Sequence, residues 1–65
     1  MSFTMLRKAA KVTQADLAIK LNIDRSTIAK WESGKSAPTN KRLIELAEVL
    51  NVSIDELVRS FREEE

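Results

Sequence analysis

The side chains best suited to chemistry in this 65-residue chain are hydrogen-bond donors spaced along one short segment: Arg25, Ser26 and Lys30. At about 100° per residue they share an arc of about 140° with Ala29 if the segment is helical. Cations there suit guanine O6 and N7, the Ser26 hydroxyl donates or accepts, and Ala29 is small enough to let a helix enter a major groove. Asp24, just ahead of them, has two readings. It caps the helix by accepting from the first free N–H groups, or it accepts from cytosine N4 as a specificity element. A second set of residues suits phosphate. Gln14, with Thr13 before it, opens an earlier helix whose N-terminus favours an anionic oxygen. Lys35, Ser36, Lys41 and Arg42 surround the end of the Arg25 segment and the start of the next helix. Ordinary surface polarity explains any one of these residues; their grouping points to double-stranded DNA. The expected base contacts are Arg25, Ser26, Lys30 and Asp24, and the expected phosphate contacts are Gln14, Thr13, Lys35, Ser36, Lys41 and Arg42.

Two helices must position these groups. Thr13 precedes an apolar-periodic run with Asp16 three residues on, and Asp24 precedes another, so helices are predicted from about Gln14 to Leu21 and from about Arg25 to Ser33. Asn22 tolerates the left-handed conformation that ends a helix, Ile23 tucks into the core, and Gly34 supplies the second stop. A turn of about 3 to 4 residues between two short helices makes a helix-turn-helix. On its second helix Ile28, Trp31 and Glu32 lie opposite the donor arc, so Trp31 reads as core rather than as a base-stacking platform. Three further helices are predicted by the same spacing. The first begins near Ser2 or Thr4 and runs to about Lys11, burying Phe3, Leu6 and Ala10. The fourth, capped by Thr39 or Asn40, runs from about Lys41 to Leu50 on Leu43, Leu46, Ala47 and Leu50. The fifth starts at about Ile54 behind Ser53 and continues through Leu57, Val58 and Phe61. Arg7 and Glu32 both reach the edge of the core, which predicts an ion pair joining the first and third helices.

The expectation is therefore all-α: a compact bundle of five helices in one domain, residues 1–61, with 62–65 a frayed acidic tail. A single Gly and a single Pro argue against strands and turns. The net charge of +1 divides sharply along the chain. Residues 1–42 carry nine Lys and Arg against three acids, and residues 43–65 carry two against seven. A basic face and an acidic face suit a small nucleic-acid binder. With no Cys and no His, disulfides, thiolates and imidazole ligands are absent, so no metal or cofactor is expected. No carboxylate pair or glycine-rich phosphate loop suggests an enzyme. No run approaches the roughly 18 to 20 apolar residues of a membrane span, and a cytoplasmic protein is expected. A domain this small leaves Leu57, Val58 or Phe61 partly exposed, which makes them the expected surface of a homodimer. The rival reading is a protein-interaction module, such as the antitoxin of a toxin–antitoxin pair.

The residues also carry a resemblance. Leu6-Arg7, the TQ-x-x-LA run from Thr13 to Ala18, the Trp31-Glu32-Ser33-Gly34-Lys35 close and the VSIDEL run from Val52 to Leu57 resemble the Cro/C1-type (Xre family) helix-turn-helix, in order and spacing, over most of the chain. The resemblance implies a lambda-repressor-like domain of five helices, more often a repressor, whose third helix enters the major groove. Dimers of this kind read two half-sites about one helical turn apart. By position, Gln14 matches the family's phosphate-contacting glutamine, Arg25, Ser26 and Lys30 its base-reading positions, and Arg7 and Glu32 its paired arginine and glutamate. Three positions depart from the pattern: Asp24 stands where Ser or Thr is common, and Lys11 and Asn22 stand where glycine is frequent.

Overall fold

Hydroxyl groups start four of the helices. In the computed structural model, which describes residues 1–62, Ser2, Thr13, Thr39 and Ser53 each accept from the backbone N–H three residues on. Each bond satisfies one of the orphan donors at a helix start. The helices they open are α1 (Phe3–Ala9), α2 (Gln14–Leu21), α4 (Asn40–Leu50) and α5 (Ile54–Arg62). The remaining one, α3 (Arg25–Ser33), starts at Asp24 without a side-chain cap. The expected capping by that carboxylate is therefore corrected: the Thr27 N–H bonds the Asp24 backbone carbonyl at 3.0 Å instead. No strand occurs among the described residues, and no helix among them is long and apolar enough to cross a membrane.

Left-handed residues end the helices and redirect the chain. Asn22 (φ 58), Asn51 (φ 58) and Gly34 (φ 81) occupy the positions where that conformation releases the last turn. Lys11 does the same at φ 60, and it explains why α1 stops at Ala9 rather than at the expected Lys11. The chain must reverse there to reach α2. A Cβ at Gly34 would meet nothing within 4 Å, so backbone conformation rather than space calls for glycine.

Leu17, Ile28, Leu46 and Leu57 are fully buried and come from α2, α3, α4 and α5 in turn, with Phe3 and Leu6 of α1 closing the core. Leu57 is thereby removed from the surface on which it was expected to meet a second copy. At 0% exposure its side chain belongs to the monomer's interior. Phe61 stacks on Phe3 with ring centroids 4.7 Å apart, and Phe3 meets the Trp31 edge at 6.4 Å. This aromatic run pins the ends of α1, α3 and α5 together, each pair adding about 0.5–1.5 kcal/mol beyond area burial. Val58 and Phe61 remain half-buried. The α5 helix includes Arg62; the rest of the expected tail, residues 63–65, lies outside the described residues.

Candidate nucleic-acid interface

The α2–α3 pair is built by one buried stripe on each helix. Leu17, Ala18 and Leu21 of α2 and Ile28 and Trp31 of α3 are buried, so α3 has a single possible roll about its axis. That roll sets out Arg25, Ser26, Ala29 and Lys30 in solvent together. None of the three polar side chains has a partner among the described residues, so all are available to a ligand. Ser33 shares this face. Eight residues after Arg25, it falls near the middle of the donor arc, and its hydroxyl donates to the Lys30 carbonyl at 3.2 Å. From the sequence Ser33 was expected only as the last residue of this helix, although the same angular count places it on the donor face.

Asp24 is exposed at the entering end of this face, and its carboxylate has no partner among the described residues. The helix makes no use of it.

Behind the face, one carboxylate gathers three elements. Glu32 Oε2 accepts from Arg7 Nε at 2.5 Å, and its Oε1 accepts from Gln14 Nε2 at 2.9 Å. Arg7 Nη1 also donates to the Val12 carbonyl at 2.8 Å. Side-chain exposures of 10% for Arg7 and 12% for Glu32 make this an ion pair largely withdrawn from water. No buried side-chain nitrogen or oxygen among the described residues lacks a partner, so the network is fully satisfied. Gln14 was expected as a phosphate contact only; its bond to Glu32 was not anticipated from the sequence. The 18-residue separation hides such a contact until the fold closes it.

The other expected phosphate contacts divide into exposed and engaged groups. Lys35, Ser36 and Lys41 are exposed, beyond the C-terminus of α3 and at the start of α4. Thr13 is committed to a capping box, its Oγ1 accepting from the Asp16 N–H at 2.9 Å while Asp16 Oδ2 accepts from the Thr13 N–H at 3.2 Å. The Thr13 backbone bond, with its hydroxyl and then Lys20 as lesser causes, holds the Asp16 carboxyl below its ordinary value. Arg42 is half-buried, and its Nη1 donates to the Leu21 carbonyl at 3.1 Å and to Glu45 Oε1 at 2.8 Å.

A family model described as helix-turn-helix matches residues 5–57. Among curated relatives, the cryptic phage CTXphi transcriptional repressor RstR of Vibrio cholerae is 43% identical over 51 residues, 78% of this chain and 46% of its own length. The HTH-type transcriptional regulator DicA of Escherichia coli is 45% identical over 47 residues, 72% of this chain and 35% of its own. The HTH-type transcriptional activator BcrR of Enterococcus faecalis is 42% identical over 53 residues, 82% of this chain and 26% of its own. The chain thus spans less than half the length of each of these relatives. No solved structure matches it.

Proposed function

We propose, from the premise that the chain belongs to the Cro/C1-type (Xre) helix-turn-helix family, that it is a sequence-specific regulator of transcription that binds double-stranded DNA. The observation that carries this reading is the outer face of α3, where Arg25, Ser26 and Lys30 stand exposed and unpartnered around Ala29. In this reading α3 lies in the major groove. Arg25 and Lys30 meet guanine, Ser26 adds a weaker contact, and Asp24 accepts from cytosine N4. Gln14, Lys35, Ser36 and Lys41 grip phosphates on either side, with the α2 N-terminus at Thr13 adding its dipole. Arg42 joins them through Nη2, since its Nη1 is committed to Leu21 and Glu45.

Repression is favoured by the similarity to RstR, which is named a repressor, although BcrR is named an activator, and a two-fold site read by a homodimer suits the docking geometry of the motif. Val58 and Phe61 are the dimer residues in this reading. They line a shallow hollow with Ala37, Pro38, Leu43 and Arg62.

Selection of binding sites from random duplex DNA tests the proposal. A defined site is expected, with Arg25→Gln or Lys30→Gln relaxing preference at particular base pairs by about 1–3 kcal/mol each. Lys41→Gln is expected to weaken all sequences alike and to flatten the dependence of log K on log salt by about 0.9. Binding that is independent of salt, or selection that returns no site, would sink the DNA-binding reading and favour a protein partner.

A further inference from the structure

The bond between Gln14 and Glu32 has a directional consequence. An ionised carboxylate accepts and never donates, so the Gln14 amide must turn its nitrogen toward Glu32 Oε1. One amide hydrogen is then spent on Glu32, and the second leaves the nitrogen at about 120° to the first, fixed in direction by planar amide geometry. Gln14 is only half-buried, at the first position of α2, where free backbone N–H groups and the positive end of the helix dipole already favour an anion. Glu32 in turn is held by Arg7, and Arg7 by the Val12 carbonyl, two residues before Gln14. The chain of bonds closes on the backbone that leads into α2.

The geometry points to Glu32 as a positioning residue for DNA phosphate, acting through Gln14. By fixing which end of the amide faces inward, the carboxylate aims the second Gln14 N–H at the phosphate oxygen that the α2 N-terminus attracts. Without it the amide is free to present its oxygen, which a phosphate repels. A negative charge on the DNA-facing half of a basic domain thus contributes to binding an anion, because Arg7 neutralises the charge while its oxygen sets the donor. This role rests on the DNA-binding reading above and adds to it a residue that touches no DNA.

A double-mutant cycle separates this role from simple electrostatics. The affinities of the unchanged chain, Gln14→Ala, Glu32→Gln and the double variant are measured on a duplex selected with the unchanged chain. Gln14→Ala is expected to lose about 10- to 150-fold, the scale of one hydrogen bond to a charged group. Glu32→Gln is expected to lose affinity when Gln14 is present and to lose none, or to gain, when Ala replaces it. Any general gain from removing a negative charge appears in both backgrounds and cancels. The same factor in both backgrounds would overturn the positioning role while leaving DNA binding intact, whereas a selection with the unchanged chain that returns no bound duplex would overturn the DNA-binding reading itself.

Because Glu32→Gln weakens a buried ion pair, a measurement on the unchanged chain stands beside the cycle. Gln14 is the sole glutamine in the sequence, so its side-chain amide pair is readily assigned by NMR. In the free domain one of its two protons is expected to exchange slowly with solvent, and the other is expected to move on adding the duplex. Equally rapid solvent exchange of both protons in the free domain would overturn the positioning role.

Discussion

The two ends of α2 are held by the same device in different surroundings. At the N-terminal end Arg7 reaches from α1 to the Val12 carbonyl and pairs with Glu32; at the C-terminal end Arg42 reaches from α4 to the Leu21 carbonyl and pairs with Glu45. Each arginine bonds a backbone oxygen that borders α2 and hands its remaining charge to a glutamate. The difference is water. The first pair is 10% and 12% exposed, the second 28% and 34%, and the second is a local contact within α4. A withdrawn pair stores more energy against being broken than an exposed one, since removing either partner strands a charge. The first arginine therefore sets whether the domain stands, and the second adjusts how α2 and α4 meet.

Unfolding measurements test that division. Arg7→Met is expected to destabilise the domain by about 3 kcal/mol, near the lower end of the range for breaking a fully buried pair. Arg42→Met is expected to cost about 1 kcal/mol, for one charge-assisted bond to Leu21 and an ion pair open to solvent. Urea titrations followed by circular dichroism give both values. Equal losses would mean that exposure does not distinguish the two ends, and that the shared backbone contact dominates in each.

The same ends differ in how their links turn. Lys11 before α2 and Asn22 after it have nearly the same left-handed conformation, φ 60 and 58. Asn reaches that region at low cost because its short amide bonds locally, whereas a lysine bears the full steric penalty against its own Cβ. Lys11→Gly is expected to stabilise the domain by about 0.5–1 kcal/mol, and Asn22→Gly to change it by a few tenths at most. Thermal melts of the two variants beside the unchanged chain decide this. A loss on Lys11→Gly would show that the lysine side chain contributes more than the turn costs.

These differences also mark what was legible in the sequence. Periodicity and capping residues locate all five helices, because Leu17, Leu46 and Leu50 bury at helical spacing and Thr13, Thr39 and Ser53 satisfy donors within three residues of themselves. The outward roll of α3 is equally local, since Ile28 and Trp31 leave only one face for Arg25, Ser26 and Lys30. The Arg7–Glu32 pair follows from two charged residues reaching one core edge from different helices. What sequence spacing does not carry is the third dimension of the polar contacts. Gln14 meets Glu32 across 18 residues and Arg42 meets Leu21 across 21, and neither pair shares a helix face. The burial of Leu57 has the same cause: in α5 a three-four spacing of Leu57, Val58 and Phe61 allows either side to face inward, and the stacking of Phe61 on Phe3 selects the one that buries Leu57.

The smallest expected effect lies in the capping box at the N-terminal end of α2. The backbone N–H of Thr13, with its hydroxyl, favours the ionised Asp16 carboxyl and lowers its proton affinity in the folded chain relative to the unfolded one. A group whose folded value is lowered stabilises the fold at pH above its unfolded value of about 3.9, and that contribution disappears as pH falls through the folded value. Asp16→Asn keeps an oxygen that can accept from Thr13 but removes the charge and its titration. The unchanged chain is therefore expected to be slightly more stable than the Asn variant at pH 6, with the difference shrinking as pH drops below about 4. Melting curves of both proteins between pH 6 and pH 2.5 at low salt measure it. A difference that stays constant across that range would mean that the Asp16 charge has no part in holding the N-terminal end, leaving the Thr13 hydroxyl and the Arg7 network to hold it.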